Sequence, residues 1–121
     1  MSMNHDAEIY YEERDRLRLA AVECGVPSHT IDPLLRYIMD GLEPGGFLMA
    51  VLSNDLMEAC GRADEMNGRY LKAICTFLYN YAPSECKGSP ERVGQWLDSF
   101  RQQFETPRQA IDAAMREERK G

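Results

Sequence analysis

Histidine is scarce in this chain of 121 residues: His5 and His29 are the only two. There is no H-E-x-x-H, no G-x-S-x-G, no G-x-x-x-x-G-K-S/T and no strand-led G-x-G-x-x-G. Those absences remove the usual signatures of zinc hydrolases, serine hydrolases and nucleotide-phosphate cradles. No apolar run approaches the ~20 residues that a membrane span requires. The opening stretch "MSMNHDAEIYYEERDR" is polar and acidic, so it does not read as a secretory signal. No segment alternates strictly or is rich enough in β-branched residues to read as a strand, and no internal repeat or low-complexity tract is visible. The four cysteines, Cys24, Cys60, Cys75 and Cys86, form no C-x-x-C and keep no regular spacing. They read as free thiols of a cytoplasmic protein, and a zinc site joining them to His29 would need long-range convergence. No cofactor is expected.

What is present fits one ordinary domain. Hydrophobic residues make up 44% and charged residues 28% of the chain. A chain of this length buries roughly 65% of its unfolded surface, enough to fold without staples. The net charge is −6, which repels bare phosphate backbones and argues against direct nucleic-acid binding. It leaves room for a basic protein surface, or for a small anionic ligand gathered by Arg14, Arg36, Arg62 and Arg69.

Helical period runs through nearly every segment. From about Asp6 to Cys24, Tyr10, Leu17, Ala21 and Cys24 share a stripe that Arg14 interrupts, and "CGVP" ends it. Asp32-Pro33 reads as an N-cap followed by a first-turn proline, opening a short helix with Leu34, Leu35 and Ile38 inward and Gly41 as its left-handed cap. A third helix is expected from Gly45 or Gly46 to about Ala63, burying Phe47, Leu48, Val51, Leu52, Leu56 and Ala59. Asp64 caps a fourth, with Leu71, Ile74, Cys75, Leu78 and Tyr81 inward, ended by Pro83. Ser89-Pro90 opens a fifth with Val93, Trp96, Leu97, Phe100 and Phe104 inward, and Thr106-Pro107 a sixth. The sum is an all-α fold, a compact single-domain bundle of five to six helices over 1–121, frayed at 1–5 and 117–121. The third and fourth helices are expected at its centre.

Two stretches stand out as candidate sites. Asn54, Asp55, Glu58 and Arg62 share a broad polar face of the third helix, with Asp64 and Asn67 following. The functional reading is a polar patch that orients a ligand or a partner's basic side chain; the bland reading is a solvated face with ordinary caps. Ser53-Asn54-Asp55 is poor helix-forming material in mid-helix, which favours a functional role. Pro44-Gly45-Gly46 at a helix start offers free backbone N–H groups to an anion, or simply lets the chain turn tightly. The tyrosines and Trp96 supply either a stacking surface or core-edge packing. Catalytic groups are thin, since acids at helical spacing such as Asp55 and Glu58 are ubiquitous, and the chain reads as non-enzymatic.

The string "YIMDGLEPGGFLMAVLSNDLMEACGRADEMN", Tyr37 to Asn67, with "FLYNYAP" and "GSPERVGQWL" after it, resembles small proteins encoded by phages and prophages. They share a P-G-G-F-L, N-D-L and A-D-x-x-N arrangement. The resemblance spans roughly Tyr37 to Leu97, about half the chain. It implies an accessory protein in the cytoplasm of a bacterial host that inhibits a host or anti-phage defence protein, or an oligomer that sequesters a nucleotide-like ligand. A structural or assembly role as a homo-oligomer is the remaining alternative. The positions it marks for test are Pro44, Gly45, Gly46, Asn54, Asp55, Asp64 and Asn67.

Overall fold

The computed structural model describes residues 2–101, with side chains from residue 6 onward. The fold is all-α, and no strand occurs among the described residues. Helix α1 runs over Ser2–Cys24, α2 over Ser28–Asp40, α3 over Gly46–Leu52, α4 over Leu56–Arg62, α5 over Glu65–Arg69 and α6 over Leu71–Tyr81. A single 3-10 turn follows at Ser84–Cys86, and the chain is helical again over 90–101, α7. α1 packs against α2 and α6, α3 against α4, and α5 against α6. The expected sixth helix from Thr106-Pro107, Phe104 and the expected frayed end 117–121 lie outside the described residues.

The helices are shorter and more numerous than five or six because two of the expected ones are each split. The expected third becomes α3 and α4, parted at Ser53–Asp55, and the expected fourth becomes α5 and α6, parted at Tyr70. The split moves the centre of the core. α4 buries only Ala59, and Leu56, expected inside, is exposed. α2 carries the most buried residues instead, and its fully buried Leu34, Leu35 and Tyr37 belong to one core cluster with Leu17 and Ala21 of α1, Leu52 of α3 and Ile74 and Phe77 of α6. On α6 the inward stripe is Ile74, Phe77 and Leu78, while Cys75 and Tyr81 face outward.

α2 also begins earlier than expected. The Pro27 carbonyl accepts from the Thr30 and Ile31 N–H groups, so the helix is nucleated one turn ahead of Asp32. Pro33 therefore sits inside the helix and not at its first position, and its missing N–H withholds the usual i→i−4 donor from the His29 carbonyl. Asp32, freed from capping, accepts from Arg18 of α1 at 2.6 Å, which holds its carboxyl below the usual range. Gly41 ends α2 as expected, in the left-handed region at φ 66°, its N–H donating to the Tyr37 carbonyl and that of Leu42 to Arg36. A Cβ at Gly41 would also run into the Phe100 ring. The Ser89 hydroxyl caps α7 by accepting from the Arg92 N–H at 3.1 Å, also as expected.

Candidate functional site

The Ser53-Asn54-Asp55 trio lies at a helix break. Helix α3 ends when Ser53 donates to the Met49 carbonyl, Asn54 to Val51 and Asp55 to Ala50. Asn54 has φ 63°, and among the described residues it is the only non-glycine with positive φ. Asparagine tolerates that left-handed conformation better than most side chains. Asp55 then caps α4, its carboxylate accepting from the Glu58 N–H at 3.2 Å. The poor helix propensity of these residues is therefore matched to local structure, and the single continuous helix expected from Gly45 to Ala63 does not form.

The break folds α4 back onto α3 and brings distant parts of the expected site together. Arg62, at the end of α4, lies over Gly46, at the start of α3: a Cβ on Gly46 would stand 2.8 Å from the guanidinium. Arg62 donates its Nε–H to Glu58 one turn earlier. Both side chains are more than half exposed, so this pair contributes little to stability. Gly45 is the N-cap of α3 in extended backbone, with half-buried Pro44 before it. A side chain at Gly46 would have to push the exposed Arg62 guanidinium aside.

Asp64 and Asn67 belong to a different corner. Asp64 caps α5 by accepting from the Asn67 N–H at 2.6 Å, and its other oxygen lies 3.9 Å from His29 Nε2. The buried Thr30 hydroxyl donates to Asn67 Oδ1 at 2.7 Å, tying α5 to the first turn of α2. The arginines divide as well. Arg14 and Arg36 act on Asp32 together with Arg18, whereas Arg62 and Arg69 pair with Glu58 and Glu65 of their own helices.

The concave feature nearest the break is a groove of about 260 Å³ between α3 and α6, lined by Val51, Asn54, Cys75, Leu78, Tyr79, Lys87 and Gly88. It continues into a smaller recess of about 50 Å³, where Val51, Asn54 and Cys75 recur with Asp55, Leu56, Ala59 and Leu71. Tyr79 is 82% exposed and Leu56 64%, so both rims carry uncovered apolar surface. Gly88 closes the far side by donating to the Leu52 carbonyl at 2.8 Å. Lys87 donates to the Ala82 and Pro83 carbonyls, which leaves one ammonium hydrogen for another acceptor. Desolvation by the surrounding groove pushes the otherwise exposed Cys75 thiol up, away from the thiolate that nucleophilic chemistry would need.

Sequence reasoning singled out Asn54 and Asp55, offered Tyr79 only among the tyrosines of a stacking surface, and missed Lys87 and Leu56. Tyr79 was visible only as a tyrosine off the α6 stripe, and Leu56 looked like core because the break was not foreseen. Among the described residues, no group of three or more His, Cys, Asp or Glu side chains could hold a metal ion. No described helix is long and apolar enough to cross a membrane. Compared with family models, curated proteins and solved structures, the chain matches none of them.

Proposed function

We propose that this protein is a non-enzymatic binding module that engages another protein through the groove at the α3–α4 break. The observation that carries the reading is the pairing of uncovered Leu56 and Tyr79 with the polar Asn54 and Lys87 around one concavity. At about 260 Å³ for the groove and 50 Å³ for the recess it stands at the lower end of small-molecule pocket volumes, ~300 Å³, and it suits an apolar side chain inserted by a partner. The remaining Lys87 hydrogen favours an acceptor, a carbonyl or carboxylate, beside that side chain. The likeness of the Tyr37–Asn67 string to phage-encoded proteins supports placing the partner in the cytoplasm of a bacterial host, where blocking a host or defence protein by contact requires no chemistry. Capture from bacterial lysate tests this: wild type retains a specific protein, and Tyr79→Ser and Leu56→Ser both lose it while keeping their fold. A wild type that retains nothing, or variants that retain the same protein undiminished, would refute the reading.

A second reading, sequestration of a small anionic ligand, is favoured by Arg14 and Arg36, which lie near the Arg18–Asp32 pair and make no salt bridge of their own among the described residues. Thermal-shift screening against nucleotides decides it, because a ligand at 100 times its Kd adds about 2.7 kcal/mol of stability. A flat screen removes this reading.

A further inference from the structure

Helix α1 buries Leu17, Ala20 and Ala21 against α2 and α6, and its opposite side has no neighbouring element among the described residues. That outer side mixes exposed apolar side chains with the acids of a solvated face. Tyr11 is 58% exposed, Leu19 61% and Val22 57%. At 3.6 residues per turn these three fall, together with Glu8, Glu12, Asp15 and Glu23, within an arc of about 120° and a length of about 22 Å. Glu8 and Asp15 lie between the apolar residues, and Glu12 and Glu23 line one edge.

None of the four carboxylates is in an ion pair among the described residues. The nearby cations are already engaged. Arg16 pairs with Glu13, Arg18 pairs with Asp32, and Arg14 lies toward Tyr10 and Asp32 on the half-buried side. An apolar strip with unpaired carboxylates along it is complementary to a helix of the opposite pattern, with an apolar stripe flanked by lysine or arginine.

We infer that the outer face of α1 is a second docking surface, distinct from the α3–α6 groove, and that its occupant is a basic amphipathic helix of another protein. Charge selects against the other occupants. A second copy meeting face to face through a two-fold axis would set Asp15 against Asp15. Residues 102–121 of this chain carry Arg108, Arg116, Arg119 and Lys120 against Glu105, Asp112, Glu117 and Glu118, so they bring no net positive charge. Nucleic acid and anionic lipid surfaces are repelled.

The test uses the full chain and a labelled synthetic helix of leucines at i, i+3/i+4 and i+7 spacing flanked by lysines, with a glutamate-flanked version as control. Fluorescence anisotropy is expected to show binding of the lysine peptide alone, weakened by added salt. Glu8→Lys/Glu12→Lys/Asp15→Lys is expected to weaken it at least about tenfold. Leu19→Ser/Val22→Ser keeps every charge and is expected to weaken it too, which separates docking from attraction by net charge. Circular dichroism melts confirm that each variant is folded, as exposed positions permit, and Tyr79→Ser should bind as wild type does. The inference is overturned by any of four results: no binding, equal binding of both peptides, undiminished binding by either α1 variant, or amide shift changes that map to the α3–α6 groove. A wild-type dimer in solution that the α1 variants dissociate would also overturn it, by assigning the face to a second copy.

Discussion

The Tyr37 hydroxyl donates to the Cys86 carbonyl at 2.7 Å, and the Tyr37 carbonyl accepts from the Trp96 indole at 3.1 Å. One fully buried residue of α2 thus holds both the 3-10 turn and α7. Burial pushes the phenol far above its ordinary pKa, so it stays a neutral donor at any working pH. Tyr37→Phe keeps the ring but leaves the buried Cys86 carbonyl without its donor. The expected loss is about 1–3 kcal/mol of unfolding free energy. Urea titration should show a lower midpoint with an unchanged slope. A midpoint equal to wild type would mean that the hydroxyl contributes nothing to stability.

The left-handed Asn54 separates two roles that the sequence alone could not part. Asn54→Gly keeps the backbone conformation and removes the side chain from the groove, so stability should stay within about 0.5 kcal/mol of wild type. Asn54→Val forces a β-branched residue into the left-handed region and should cost roughly 1–2 kcal/mol or more. Loss of partner capture by the stable glycine variant would assign the amide to binding. Two variants of equal stability would contradict the backbone argument.

Much of the architecture was legible because helix punctuation is local. Gly41 and Ser89 cap where their residue types indicate, and α1, α2, α6 and α7 bury parts of the stripes their periodicity marks. The break at Asn54 was not legible, because Phe47, Leu48, Leu52, Leu56 and Ala59 keep helical spacing through it. Ser-Asn-Asp then looked like a costly stretch of one helix when it is a C-terminal turn, a left-handed residue and an N-cap in succession. Asp32-Pro33 failed for the opposite reason: the motif has the form of a helix start, but Pro27 and Ser28 begin the helix first. The groove was invisible for a tertiary reason, since Asn54, Tyr79 and Lys87 meet only when α3 and α6 pack and Gly88 is tied to Leu52.

Asp32 makes the pairing of α1 with α2 depend on pH in a direction that can be worked out. Its hydrogen bond from Arg18 comes first, with the charges of Arg18, Arg36 and Arg14 in support, and together they lower its folded-state pKa. In the unfolded chain those partners are gone and the carboxyl titrates at its ordinary value. Protons therefore bind the unfolded state more readily, and stability rises with pH across that interval. The contribution should be complete above about pH 5 and fade as pH falls through the lowered folded-state value. Arg18→Gln removes the cationic hydrogen-bond donor, so the acid limb of its stability curve should be flatter than that of wild type. Urea midpoints measured for both proteins from neutral to acid pH give the comparison. The two curves should converge at the acid end, where Asp32 is protonated in both states of both proteins. A constant offset down to the lowest pH would show that Arg18 stabilises the seam by packing its stem, without a charge-dependent share from Asp32.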